Sequence, residues 1–349
     1  MKKVLSLVLA LTMLLALCAC GSKGSTSANS GSGDKKVETI ELSCSVGVPE
    51  DNPLGVAMKK MGEDLYKRTD GRYTIKVYAN GTLCSQSELF GMLKSGGVIM
   101  GEAPLDAQAE ADIRFSSHQL PFAFESMEAN LRFNKLINER LNNKILEEKF
   151  GVFPLFTLTS GLVEYISNGK RVEKVDDLKG QLIWVTNSLA SATVTALGAS
   201  PVTLDWNDGL PGLQKHTIDS CFSTSLFGPT LLQWYEDGMT DVTMCNLCGT
   251  ASNMFMSLEV FNKMSEADQK ILLELAAVAE KEIMDYYYDY LNKAPEFLTE
   301  KGVSIYEVPA DELSSWRDAA ASVYDDYYAK LDPADAEIIR QTIIDANAG

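Results

Sequence analysis

Residues 40–81 read IELSCSVGVPEDNPLGVAMKKMGEDLYKRTDGRYTIKVYANG. IELSCSVG (40–47) is a short apolar strand. Asn52 is placed to cap a helix, with Pro53 at its first position, where a missing N–H costs nothing. Leu54, Met58, Met61 and Leu65 recur at helical spacing, and Asp70-Gly71 ends the element. RYTIKVYANG then alternates, with Tyr73, Ile75 and Val77 on one face, and turns at Asn80-Gly81. A second helix from about Ser87 through Lys94 and the strand GGVIMGEA (96–103) complete a β-α-β-α-β run. That pattern predicts a largely parallel sheet with helices on its faces.

A similar rhythm resumes from about Phe153 to Thr243. At its centre lies DDLKGQLIWVTNS (176–188): a loop, a tight turn at Gly180 and a short strand. The run Leu182, Ile183, Trp184, Val185 is what a strand buried on both faces looks like, yet the indole of Trp184 has one donor that needs a partner. MSEADQKILLELAAVAEKEIMDYYYDYLNK (264–293) predicts a helix of roughly eight turns, capped by Ser265 with Asp268 three residues on. Ile271, Leu272, Leu275 and Val278 mark its buried stripe, and Pro295 ends or kinks it. Two further helical stretches, 309–331 and 333–347, finish the chain. The tyrosines at 286, 287, 288 and 290 wrap around too much of the long helix to form one stripe and read as core and lobe contacts.

The N-terminus has Lys2 and Lys3, an apolar run from Val4 through Leu17, and then Leu17-Cys18-Ala19-Cys20. This is an export signal, and its last four residues resemble the bacterial lipobox. Cys20, preceded by Ala19 and followed by Gly21-Ser22, is the expected acylation site, making 1–19 a lipoprotein signal peptide. Residues 20–37 are rich in Gly and Ser and nearly free of apolar side chains, the composition of a flexible tether. A palmitate-type anchor and a long tether suit the outer face of a Gram-positive cell membrane; otherwise the protein is periplasmic.

The remaining body is long enough for two cores, and 46% hydrophobic composition permits them. Removing the signal, with Lys2 and Lys3, takes the formal charge from −17 to −19. So acidic a chain argues against nucleic acid and against electrostatic binding to anionic lipid. The body holds Cys44, Cys84, Cys221, Cys245 and Cys248, an odd number that does not read as a disulfide framework.

Catalytic constellations are sparse. Cys245 and Cys248 have the spacing of a redox pair or half a zinc site, but only His118, His216 and isolated cysteines could complete one, so no metal or cofactor is expected. His216 near Cys221 suggests a Cys-His nucleophile, with nothing local to supply an oxyanion hole. There is no Gly-rich phosphate loop, no H-E-x-x-H and no P-loop lysine. No catalytic residue is expected. The cleft between two lobes is the natural ligand site.

The order of segments resembles the DctP family, the extracytoplasmic solute-binding proteins of TRAP transporters. The resemblance is carried by NPLGVAMKKMGEDLYKRTDGRYTIKVYANGTL (52–83), LKSGGVIMGEA (93–103), LPFAFES (120–126), DDLKGQLIWV (176–185), LGASPVTL (197–204) and MSLEVFNKMSEADQKIL (256–272), in family order and near-family spacing. It implies a two-lobe periplasmic-binding-type α/β fold with a central ligand cleft, crossovers near residues 161 and 250, and the long helix bridging the lobes. Lobe I would comprise 38–161 plus 250–289, and lobe II 162–249 plus 290–349. A monomer would capture a small organic solute and deliver it to the permease subunits of a sodium-driven transporter, without chemistry on it.

The chain departs from the family at the site. The resemblance implies an arginine where Trp184 stands, clamping a substrate carboxylate. A second arginine is implied at Val163, and an asparagine where IDSCFST offers Ser223. Asn187, Gln86 and Glu50 fit polar ligand-contacting positions. The expected ligand-binding set is therefore Trp184, Asn187, Glu50, Gln86, Ser223 and Val163, with Trp184 stacking on a ligand that is not a simple carboxylate. Alternatively Trp184 is core, and Arg114, Lys170 or Arg171 has taken over the clamp. The same fold could also serve a sensor or signalling partner in place of a permease.

Overall fold

The computed structural model describes residues 38–349. The expected signal peptide, the tether and Cys20 lie outside them. Among the described residues eleven strands form two sheets. The first contains β1 (Ile40–Ser45), β2 (Tyr73–Tyr78), β3 (Met100–Ala103), β4 (Val152–Leu158) and β10 (Ser252–Ser257), ordered β2-β1-β3-β10-β4. The second contains β5 (Tyr165–Ser167), β6 (Leu182–Val185), β7 (Ser200–Thr203), β8 (Ser220–Cys221), β9 (Asp241–Met244) and β11 (Ser304–Glu307), ordered β11-β9-β5-β8-β6-β7. The protein is thus a two-lobe α/β structure, one sheet to each lobe.

The opening segment folds as its pattern dictates. Helix α1 (Pro53–Arg68) starts with Pro53 at its N-terminus, and Asn52 accepts a hydrogen bond from the Leu54 N–H at 3.1 Å. Helix α2 (Leu89–Ser95) ends on Gly96 in the left-handed region. β1 pairs in parallel with β2 and β3, as βαβ crossovers require, but β10 runs antiparallel between β3 and β4, so the sheet is mixed. β10 alternates across the sheet: Met254 and Met256 join the core beneath α1, and Phe255 packs on the opposite face with Leu89 and Phe133 of α3 (Met127–Ile137).

The chain leaves the first sheet after β4, builds most of the second, and returns at β10, with Leu162 bridging Gly249 where the two crossing segments meet. The helix Glu266–Leu291 then carries it across again. Ser265 caps that helix by accepting the Asp268 N–H. Its buried stripe differs from the expected one: Leu272 and Leu275 are buried with Ala276, Ala279, Ile283, Met284 and Tyr287, whereas Val278 is 51% exposed. Small alanines between large residues let the helix lie close on α1, and Val278 falls on the opposite face. Its C-terminal Leu291 reaches the core of the second lobe. The last helix, Pro333–Ala348, which the sequence reading grouped with lobe II, packs its Ile339 and Ala346 beside Phe133 and Ile137 of the first lobe.

Glu164, just past the first crossing, is buried without a counter-charge. It accepts the N–H groups of Cys245 at 2.6 Å and Asn246 at 2.9 Å. Burial pushes its pKa up to about 8, these hydrogen bonds working against the rise and nearby Glu307 adding to it. The folded state therefore binds more protons than the unfolded one between about pH 4.5 and 8, so folding stability falls as pH rises through that window, by up to roughly 1.4 kcal/mol per unit. We expect Glu164→Gln to flatten this decline in urea titrations at a series of pH values; an unchanged profile would place the titrating group elsewhere.

Candidate functional site

Between the lobes lies a cleft of about 1270 Å³, counting its mouth open to solvent. The first lobe contributes Gly47, Gln86, Glu102 and Asp106; the second contributes Thr186, Asp205, Trp206 and Ser223; the crossing strands contribute Ser160, Val163 and Thr250; the long helix contributes Tyr287.

Glu102 sits on β3 at the centre of the first sheet. It accepts from the Ser252 hydroxyl, from Gln86 Nε2 at 3.2 Å and from the Gly47 N–H at 3.4 Å. Burial holds its carboxyl above the usual carboxylate range, and the three donors oppose that rise. A Cβ at Gly47 would lie 2.8 Å from Gln86 Nε2 and would push that side chain aside. Asp106 joins the lobes: it meets His118 Nε2 at 3.1 Å within the first and accepts from Thr186 Oγ1 at 3.0 Å and Asn187 Nδ2 at 3.2 Å across the divide. Asn187 also donates to Gln119 Oε1 at 2.5 Å, and Ser87 and Asp205 face each other across the mouth at 3.5 Å.

The residues of the expected ligand set fall in two groups. Gln86, Val163 and Ser223 line the cleft; Glu50, Asn187 and Trp184 do not. Glu50 is an exposed residue paired with Lys59 at 2.5 Å. Asn187 lies one layer behind the wall, where its carbonyl oxygen caps the helix Ser188–Ala196 by accepting from Leu189 and Ala190 and its amide braces Asp106. Trp184 is 0% exposed. The alternation of β6 explains it: Ile183 and Val185 face one core of the second lobe, and Trp184 faces the other with Ile166, Leu213 and Trp234.

The indole that reaches the cleft is Trp206. Trp184, Trp206 and Trp234 form a triangle with ring centroids 5.7, 6.1 and 5.7 Å apart. Trp184 Nε1 donates to the Leu204 carbonyl at 3.1 Å, fixing the backbone that presents Asp205 and Trp206. Its ring occupies the space a Cβ on Gly209 would take, only 2.1 Å away, so the helix Trp206–Gln214 can seat on it only with glycine there. Ser223 donates to the Trp184 carbonyl at 2.9 Å, so the strand beneath the indole also orients a lining hydroxyl. Neither Trp206 nor Tyr287 is in the expected set: Tyr287 lies in a run of tyrosines that reads as core and lobe contacts, and the local signal for Trp206 is its place between Asp205 and Asn207-Asp208 at a helix start.

The cations considered as replacement clamps are engaged elsewhere. Arg114 pairs with Asp112 and Asp335, Lys170 with Asp219, and Arg171 with Glu173 while stacking on Tyr306. None lines the cleft, nor does any other lysine or arginine among the described residues.

The Cys-His arrangement does not form: His216 is exposed, while Cys221 is buried in the sheet with its thiol pushed up to about 12 by burial. Cys245 and Cys248 are free and buried, and burial raises both thiols well above the range of a reactive thiolate. Among the described residues no group of three or more His, Cys, Asp or Glu is placed to hold a metal.

Comparison with known proteins places these features in a context. The family model described as bacterial extracellular solute-binding protein, family 7 (DctP) matches residues 44–331. The C4-dicarboxylate-binding protein DctB of Bacillus subtilis is 24% identical over 80% of this chain and 80% of its own length. A TRAP periplasmic solute-binding protein from Ralstonia eutropha, solved with bound 2-acetolactate, superposes with a TM-score of 0.81 at 22% identity, covering 87% of this chain and 99% of its own. The sugar acid binding protein DctPAm of Advenella mimigardefordensis, in complex with galactonate, gives 0.82 at 21% identity over 89% and 99%.

The packing makes Trp184 and Trp206 separable. Trp184→Ala should lower folding stability by about 3–5 kcal/mol in chemical denaturation, the cost of emptying a core aromatic site. Trp206→Ala, at the cleft wall, should cost less than half as much. A loss at Trp184 no larger than that at Trp206 would contradict its place in the core.

Proposed function

The chain belongs to the DctP family of bacterial extracellular solute-binding proteins, and from this membership and its cleft we propose a lipid-anchored receptor that hands its solute to the permease of a TRAP-type secondary transporter. Capture of a small organic solute outside the cytoplasm is the activity of the family. What supports a closing cleft in this chain is the set of polar contacts that join its lips, Asp106 to Thr186 and Asn187, and Ser87 to Asp205. Bound solute adds contacts to both lobes at once and so favours the closed arrangement over the open one by its differential affinity for the two.

The receptor works as a monomer with the lobe boundaries expected from the crossovers near 161 and 250, the last helix excepted. It performs no chemistry on its solute. Cys20 carries the acyl anchor, and 20–37 tethers the body to the outer face of the membrane, a Gram-positive membrane suiting the long Gly/Ser tether. The cleft recognises its solute without a guanidinium clamp, using Gln86, Ser223, Glu102 and the indole of Trp206.

Two experiments test this. A solute at about 100 times its dissociation constant should raise the unfolding free energy by roughly 2.7 kcal/mol and shrink the radius of gyration in small-angle scattering. Binding with no compaction would refute closure. Cys20→Ser should move the protein from the membrane fraction to the medium; retention at the membrane would refute the anchor.

A further inference from the structure

Resting on the cleft being the solute site, we propose that the solute carries a positively charged nitrogen, set between the carboxylates of Glu102 and Asp205 with its apolar flank on the indole of Trp206.

The charge of the wall leads there. Glu102, Asp106 and Asp205 line the cleft, and no lysine or arginine among the described residues does. The base in contact with this wall is His118, 3.1 Å behind Asp106. It faces Asp106 alone, so no basic side chain stands beside Glu102 or Asp205. The neighbours of Glu102 are neutral: Ser252, Gln86 and the Gly47 N–H donate to it, and burial holds its carboxyl high. A cation beside it supplies the opposite charge that the wall lacks, whereas a carboxylate solute would add a further uncompensated charge.

The carboxylates come from opposite lobes, Glu102 from β3 and Asp205 from the start of the helix Trp206–Gln214. A cation between them is attracted by both, so its charge draws the lobes together. Asp205 caps that helix without using its side chain for the cap, and its carboxylate faces the mouth, where Oδ1 accepts a long hydrogen bond from the Ser87 hydroxyl at 3.5 Å. Trp206 is held by two other indoles, and an indole face attracts a cation at little conformational cost when the ring is already fixed. The hydroxyls of Ser160 and Thr186 add oxygen acceptors suited to N–H donors.

The test is isothermal titration of the purified protein with putrescine, agmatine and choline, against succinate and galactonate as anions and glucose as a neutral compound. We expect at least one of the compounds bearing a cationic nitrogen to bind about 100-fold more tightly than either anion. Glu102→Gln should weaken that binding by about thirty-fold or more, the effect of removing one partner of a buried charge pair. Asp205→Asn, an exposed change that leaves the core untouched, should weaken it about three- to ten-fold and keeps the proposal testable where Glu102→Gln does not fold. Tighter binding of an anion or of glucose than of every cationic compound would overturn the inference and leave the receptor reading standing. Cation binding indifferent to both substitutions would also overturn it. If nothing in the series binds, the cleft as solute site falls, and the inference falls with it.

Discussion

An indole has a single N–H, and a buried one must find an acceptor. Trp184 gives its own to the Leu204 carbonyl, and much of the second lobe follows from that bond. It ties β6 to the segment leaving β7, and that segment carries Asp205 and Trp206 to the mouth of the cleft. It sets the ring where Gly209 must yield its Cβ position, so the helix Trp206–Gln214 docks at one depth. The same strand's carbonyl takes the Ser223 hydroxyl. A side chain with no exposure thus determines what three cleft positions present.

The first lobe is held by a different device, a polar knot where the chain crosses. Thr159 Oγ1 donates to Asn130 Oδ1 at 2.6 Å, the Thr250 N–H donates to the same oxygen at 3.1 Å, and Thr250 Oγ1 donates to the Gly161 carbonyl at 2.9 Å. Both crossing segments are thereby fastened to α3 on the first-lobe side. Beyond the knot they are joined by main-chain bonds, Val163 N–H to the Cys248 carbonyl at 2.8 Å and Leu247 N–H to the Val163 carbonyl at 2.9 Å. Fixed on one side and ladder-bonded on the other, the crossing can bend only over a few residues, which suits rotation of one lobe as a body against the other.

The fold was legible wherever local chemistry and tertiary packing agreed. Asn52-Pro53 starts a helix in any context, Ser265 with Asp268 does the same, and alternation in 73–78 needs only one wet face to become a strand. The antiparallel β10 was not legible, because SNMFMS has no sign of direction and its partners lie about 100 and 150 residues earlier in the chain. Nor was Val278: a stripe drawn from large apolar residues overlooks Ala276 and Ala279, whose small size is what lets two helices approach. At the site, Gln86, Val163 and Ser223 were reached through family spacing. Asn187, expected at the ligand, stands behind the cleft wall as a helix cap, since an asparagine after a strand signals a cap as well as it signals a contact. For Trp184 the run LIWV already contained the answer: a strand buried on both faces leaves the residue between Ile183 and Val185 no route to solvent.

The arginine that the family resemblance implies at position 184 and the tryptophan found there demand opposite surroundings. A guanidinium at this depth would need a carboxylate partner, from the protein or from the solute, because a lone buried charge is heavily penalised. An indole needs one carbonyl and apolar neighbours, which Leu204, Trp206 and Trp234 provide. An indole at this position offers an anionic solute no charge partner, and Glu102, Asp106 and Asp205 line the cleft without a lysine or arginine among the described residues. On the proposal of a cationic solute, the interior packing of one lobe and the charge that the cleft accepts are parts of a single choice made at one strand position.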